Sequence, residues 1–321
     1  MKVGVVGSAG YTGGELLRIL VCHPEVELVF VNSNSNAGNK IYKVHQDLIG
    51  YTDLEFTDQL PFEQVDVIFL CLGHGDAKVF LKNNPVPSSV KIIDLSTDFR
   101  HKAANEGFVY GLPELNREAI KKATKIANPG CFATSIQLGL LPLAAAGELK
   151  DEVHISAITG STGAGVKPGA TTHFSWRNNN ISVYKSFEHQ HLQEIGESVN
   201  QLQNDFSEDL NFVPFRGDFA RGIFASIYIN SELSEEEAVS IFEKYYANHP
   251  FTHVIDFNPN MKQVVSTNNC VIYVKKYGKK LHVLSMIDNL LKGASGQAVQ
   301  NLNLMFGLPE KTGLMLKPSG F

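Results

Sequence analysis

Four features of this sequence have the residue types and spacing for chemistry: one cysteine, a close histidine pair and two glycine-rich turns. Cys131 follows Ala127-Asn128-Pro129-Gly130 and opens a long apolar segment. A thiol in the first turn of a helix faces uncapped N–H groups and the positive end of the helix dipole. Both favour the thiolate, the form that attacks carbon. Gly130 leaves room for a substrate, and the Cys131 N–H or the side-chain amide of Asn128 could stabilise a tetrahedral oxyanion. That combination suits covalent catalysis at an acyl carbon. Cys22, Cys71 and Cys270 sit in apolar contexts and read as small hydrophobes.

A cysteine nucleophile needs a proton partner, and Glu188-His189-Gln190-His191-Leu192-Gln193-Glu194 is the best source among eleven histidines. Either His189 or His191 could serve, with Glu194 orienting one imidazole. The spacing is neither HExxH nor that of a zinc finger, so no metal is expected. Two solvated histidines at a helix start are the plainer alternative.

Gly7-Ser8-Ala9-Gly10-Tyr11-Thr12-Gly13 lies where the first strand passes into the first helix. Glycines there allow a tight turn and let a pyrophosphate reach helix N-terminal amides, so Gly7, Ser8, Gly10, Tyr11, Thr12 and Gly13 are dinucleotide candidates. The end of the second strand reads Asn32 to Lys40 without an acid. Ser33, Ser35 and Lys40 can receive a 2′-phosphate that a carboxylate would repel, which favours NADP over NAD; a polar surface loop is the alternative. Further anion donors are Ser96 and Arg100 in Asp94–Arg100, and Ser161 and Lys167 in the loop 160–169. Arg216 and Arg221 join them.

The elements that must position these groups fall into two textures. Short apolar strands at 2–6, 26–31, 65–72 and 90–95 are interspersed with helical pattern, notably at 11–22, which predicts a parallel sheet covered on both faces. A helix runs from Cys131 toward Gly147. Beyond it, strands at 153–160, 222–230, 269–278 and 280–288, with a helix at 235–248, predict an α+β domain with a largely antiparallel sheet. A last helix, 293–306, is expected to return to the first domain. The expected division is therefore 1–147 with 293–321, and 148–292.

With 321 residues the chain is long enough for two cores. The formal charge of −5 is spread along the chain, which argues against nucleic-acid and polybasic membrane surfaces. No apolar run approaches the ~20 residues of a membrane helix. Met1-Lys2 leads directly into a strand, and the four cysteines show no CxxC pair. A cytoplasmic protein without disulfides is expected.

GSAGYTGGEL (7–16), DLSTDFR (94–100), VYGLPEL (109–115), NPGCFAT (128–134), GSTGAGVKPG (160–169), HQHLQEI (189–195) and KGASGQAVQNLNLMFGLPEKTGL (292–314) together resemble the N-acetyl-γ-glutamyl-phosphate reductases. The motifs run in the family's order over nearly the whole chain. The resemblance implies an α/β fold: a Rossmann-type doubly wound parallel sheet plus an α+β catalytic domain like that of glyceraldehyde-3-phosphate dehydrogenase. It implies NADPH-dependent reductive dephosphorylation of an N-acyl-glutamyl 5-phosphate to the semialdehyde, in arginine biosynthesis, by a homo-oligomer. Cys131 would be the nucleophile, forming a thioester, and His189 the base. Gly293, Ala294 and Gln297 would help hold the cofactor. The rival within the class is an aspartate-semialdehyde dehydrogenase. A rival of another class is a non-catalytic, NADP-binding regulatory protein.

Overall fold

The computed structural model describes residues 1–320, and the chain divides into two compact units. The first comprises Met1–Pro129 and Ala294–Met315; the second comprises Gly130–Gly293 and the described residues from Leu316 on.

The first unit is built on seven strands, β1 (Lys2–Val6), β2 (Glu27–Asn32), β3 (Phe56–Thr57), β4 (Val67–Leu70), β5 (Lys91–Asp94), β6 (Val109–Tyr110) and β7 (Lys125–Ala127). Every pairing is parallel, in the order β3-β2-β1-β4-β5-β7-β6. Val3, Val5, Ile68 and Phe69 are all fully buried, as strands covered on both faces must be. Its helices are α1 (Tyr11–Leu20), α2 (Asp76–Asn83) and α3 (Pro113–Lys122). The chain changes direction between β1 and β4, and at such a switch point ligands of open α/β sheets bind, beyond the carboxyl ends of the strands.

The second unit holds α4 (Cys131–Ala145), β8 (Val153–Thr159), the short α5 (Phe174–Arg177), β9 (Ser182–Val183), α6 (His191–Leu202), β10 (Leu210–Arg216), β11 (Ile223–Asn230), α7 (Glu235–Tyr246), β12 (Thr252–Ile255), β13 (Cys270–Tyr277) and β14 (Lys280–Ile287). Its sheet order is β12-β13-β14-β11-β8-β10-β9. It is largely antiparallel, as expected, but mixed: β8 with β10 and β12 with β13 run parallel.

The unit boundary falls at residue 129/130 rather than at 147. Residues 132–144 of α4 are all buried, and a helix apolar around its whole girth belongs in a core. It packs against α6, α7, β11 and β14, and the Ser135 hydroxyl donates to the Ser285 carbonyl at 3.1 Å. The final helix, α8 (Gly296–Met305), packs on α1 and α3 in the first unit. A single π turn, Leu291–Ser295, precedes it, so the segment expected as one helix is two. Among the described residues no helix is long and apolar enough to cross a membrane.

Candidate active site

Cys131 is the first residue of α4, and Gly130 before it is extended, so the helix begins at the thiol. The N-cap residue Gly130 has no side chain to cap that turn, and the thiol lies at the positive end of the helix. Cys131 is partly exposed, whereas Phe132 and the residues after it are buried. By contrast Cys71 is inert: burial, and then the nearby Asp94, push its thiol up to about 12.

Two contacts fix the thiol's position. The Gly130 N–H donates to Glu194 Oε2 at 3.0 Å, and the Gln137 side-chain amide donates to the Glu194 carbonyl at 3.1 Å, so α6 is tied to the start of α4. On the other side lies Gly293 in the π turn. A Cβ at Gly293 would stand 2.9 Å from the Cβ of Cys131. The residue that the resemblance gives to the cofactor is thus packed against the nucleophile. The π turn is anchored by Asp288, whose carbonyl accepts the Gly293 N–H at 2.9 Å. The Asp288 carboxylate takes two hydrogen bonds from Arg221, at 3.0 and 3.2 Å, so Arg221 is engaged with a carboxylate of the protein itself.

His189 stands just before α6 and His191 is its first residue. Both are buried, and their rings lie 4.6 Å apart. The His191 N–H donates to His189 Nδ1 at 3.2 Å, which assigns the proton of a neutral His189 to Nε2. Rings of Phe132, Phe212 and Tyr184 surround it at 5.5, 5.4 and 5.8 Å. Burial lowers the His189 pKa to about 4; Lys185 and Arg216 push the same way, and Glu194 opposes them. Glu194 faces the other histidine, with its Oε1 at 3.9 Å from His191 Nε2.

A polar wall lies on β8 and β10. Arg216 is opposite Thr159 in their parallel register, as Phe212 is opposite Ile155, and the alternation of a strand puts all four on one face. The Arg216 guanidinium carbon is 4.6 Å from the centre of the Tyr184 ring. Burial, and then the charge on Cys131, raise the Tyr184 phenol to about 12, with Arg216 easing the shift. Arg216 Nε and Thr159 Oγ1 are buried without a hydrogen-bond partner. Orphaned polar atoms on two paired residues cost free energy unless a ligand completes them. Thr159 and Tyr184 were not among the sequence candidates. No spacing signals them, because strand register brings them to Arg216.

In the first unit, the loop after β1 fits a dinucleotide. Gly7 takes φ +72, a turn that favours glycine, and the Cβ direction of Gly10 is open. No described side chain caps α1, so its first amides face outward for a pyrophosphate. Tyr11 is exposed beside them, and Gly13 packs directly on the Ser8 backbone. Ser8 itself is buried, its hydroxyl donating to the Asn32 carbonyl at 2.8 Å; the Thr12 carbonyl accepts from the Ser295 hydroxyl at 2.8 Å. After β2, the Asn36 amide holds the hydroxyls of Ser33 and Ser35, each at 3.1 Å. Lys40 is engaged elsewhere, with the Asp53 carbonyl at 2.7 Å and Glu55 at 3.2 Å.

Several other candidates are structural in this arrangement. The Asn128 side chain donates to the Ala294 carbonyl at 3.0 Å and accepts from Asn301 at 3.1 Å, which ties it to α8. Ser96 donates to Asp94 at 2.7 Å. Arg100 is buried and donates to the carbonyls of Asn128 and Leu95, at 2.8 and 2.9 Å. Gln297 is fully buried in α8. Ser161 opens a short turn whose N–H is taken by the Phe219 carbonyl, and Lys167 lies in the exposed stretch that follows. Among the described residues no group of three His, Cys, Asp or Glu could hold a metal ion.

A parallel nucleotide-binding unit and a mixed-sheet unit carrying a helix-start cysteine define a class of two-part oxidoreductases. Residues 2–123 match the model for the NAD binding domain of semialdehyde dehydrogenases, and 131–289 match the model for their dimerisation domain. The N-acetyl-gamma-glutamyl-phosphate reductase of Bacteroides thetaiotaomicron is 59% identical over the full length of both chains, and that of Christiangramia forsetii 56%. Among solved structures, aspartate semialdehyde dehydrogenase II from Vibrio cholerae, complexed with ASA, superposes with a TM-score of 0.74 at 16% identity. It covers 95% of this chain and 98% of its own. The NADP complex from Candida albicans gives 0.71 at 14%, with the same coverage. At such identities the likeness extends to the fold alone. The chain belongs to the N-acetyl-gamma-glutamyl-phosphate reductase family of the semialdehyde dehydrogenases. It is an oxidoreductase with a nicotinamide cofactor.

Proposed function

We propose that this chain reduces N-acetyl-γ-glutamyl phosphate to N-acetylglutamate 5-semialdehyde with NADPH, releasing phosphate, as a cytoplasmic, homo-oligomeric enzyme of arginine biosynthesis. The observation that carries the reading is Cys131 at the open N-terminus of α4, bracketed by Glu194 and Gly293 in the same unit as the orphaned Arg216–Thr159 pair. The compact division 1–129 with 294–315 supports a reading in which the first unit holds the nucleotide and the second carries the thiol chemistry.

The thiolate of Cys131 attacks the acyl carbon; a C–S bond forms, the C–O bond to phosphate breaks, and a thioester remains. A thioester accepts hydride far more readily than a carboxylate, which is why a cysteine serves here. A nicotinamide, when bound, would supply that hydride. His189, neutral and carrying its proton on Nε2, donates a hydrogen bond to the acyl oxygen and assists collapse to aldehyde and free thiolate. His191, facing Glu194, is the second proton-handling group. Arg216, with Thr159, receives the anionic end of the substrate. Gly7, Gly10 and the first turn of α1 would hold the pyrophosphate, and Ser33 and Ser35 the 2′-phosphate.

The test is NADPH oxidation with N-acetyl-γ-glutamyl phosphate, and aspartyl phosphate in parallel. Cys131→Ser is expected to lower kcat by about four orders of magnitude while leaving NADPH affinity within about twofold. Retained turnover in that variant, or preference for aspartyl phosphate, would overturn the reading.

A further inference from the structure

Arg177 is nine-tenths buried and makes no ion pair among the described residues. Its Nη1 donates to the Arg216 carbonyl at 2.6 Å and to the Asn180 carbonyl at 3.3 Å. Its Nη2 donates to the Ser182 hydroxyl at 3.0 Å. Nε and Nη2 both reach the Thr171 carbonyl, at 3.4 and 3.3 Å. The guanidinium stacks on Trp176, 4.8 Å from the ring centre. One side chain therefore gathers three separated stretches of chain: the loop before α5, the start of β9 and the end of β10.

We propose that Arg177 is a positioning residue: by holding the Arg216 backbone and Ser182, it aims Arg216 and Tyr184 at the anionic end of the substrate. This rests on the reading above that Arg216 receives that end. Ser182 pairs with Arg216, and Val183 with Phe215, in the β9–β10 ladder. Arg177 thus grips both members of the last ladder pair. Tyr184 follows directly, its N–H bonded to the Pro214 carbonyl at 3.2 Å. A two-residue strand has little stability of its own, and without the clamp the Arg216–Tyr184 stack loses its fixed direction.

The electrostatics point the same way. Burial lowers the Arg177 pKa, and the neighbouring Arg216 lowers it further, with only Asp218 opposing. Three carbonyls and the Ser182 hydroxyl, all neutral acceptors, satisfy this cation, beside a second cation whose Nε has no partner. A purely structural brace would be better built with a carboxylate. Two cations placed together gain when an anion arrives, so the local repulsion is relieved by the ligand the site is built for.

The experiment compares Arg177→Lys, Arg177→Met and Ser182→Ala, each alone and with Arg216→Met. Lysine keeps the charge but cannot span four acceptors. Arg177→Lys and Ser182→Ala are expected to raise KM for the acyl phosphate by about three- to tenfold, with kcat and the NADPH KM within about twofold. Arg177→Met is expected to raise it by more than about tenfold; should that variant not fold, the other two carry the test. In the Arg216→Met background each change is expected to add less than about twofold, because the residue being aimed is gone. An unchanged KM in Arg177→Lys and Ser182→Ala, or equal effects with and without Arg216, would overturn the proposal. Calorimetric titration with N-acetylglutamate separates the two levels. Wild type that binds this dicarboxylate through Arg216 without turning over the acyl phosphate sinks the functional reading, yet still tests Arg177 through its effect on that affinity.

Discussion

At the scale of single residues, His189 shows how burial sets a role. Its ring is enclosed by Phe132, Phe212 and Tyr184, and the His191 N–H occupies Nδ1. A histidine held near pKa 4 rests as the neutral imidazole at neutral pH, so in the proposed reaction it serves as a neutral donor through Nε2. The same shift links stability to pH. The unfolded chain takes up this proton as pH falls below about 6.5, whereas the folded chain does so only near 4. The stabilisation is complete above pH 6.5 and is lost as pH falls from there toward 4. Between pH 6.5 and 5 it amounts to about 2 kcal/mol. Urea unfolding at pH 7.5 and 5.0 checks this: wild type is expected to lose about that much more stability on acidification than His189→Gln. Identical losses in the two proteins would show that His189 titrates normally.

At the scale of elements, the site depends on where α4, α6 and the π turn meet. A methyl group at Gly293 has no room beside Cys131. Gly293→Ala must move either the π turn or the thiol, and kcat is expected to fall by about a hundredfold, since small displacements of a nucleophile are costly. Alkylation of Cys131 by iodoacetamide should change rate in that variant, while NADPH affinity stays within about twofold. Unaltered alkylation with NADPH binding weakened tenfold would instead make Gly293 a cofactor contact, as the resemblance implies. What was legible in the sequence follows from local physics. β1, β4 and β5 are continuous apolar runs, and Cys131 stands behind an extended glycine at a helix start. β10 was hidden because Pro214, which has no N–H to give, interrupts its pattern. α2 buries only Ala77, too little for a periodic signal. The bonds of Asn128 to Ala294 and Asn301 were hidden because those partners arrive from the far end of the chain. The Arg216–Thr159 pair likewise exists only through strand register.

At the scale of the whole molecule, a chain of net charge −5 handles an anionic substrate and an anionic cofactor by concentrating its donors locally. The proposed substrate donor Arg216, with Arg177 behind it, belongs to the second unit, and the proposed nucleotide loop belongs to the first. Each unit has its own sheet and its own core, so the preference between cofactors should be separable from recognition of the acyl phosphate. The selectivity determinants are few. Lys40 is committed to Asp53 and Glu55, which leaves the Ser33 and Ser35 hydroxyls, held by Asn36, to receive a 2′-phosphate. Ser35 is exposed, so a carboxylate placed there disturbs little of the fold. It would repel a 2′-phosphate and accept hydrogen bonds from a ribose 2′-hydroxyl. Ser35→Asp is therefore expected to lower kcat/KM for NADPH by at least about tenfold and to raise it for NADH, with KM for the acyl phosphate within about twofold. Steady-state kinetics with both cofactors decide the matter. A wild-type enzyme that already uses NADH as efficiently as NADPH would refute the assignment of Ser33 and Ser35. A parallel rise in the acyl-phosphate KM would refute the separation of the two functions between the units.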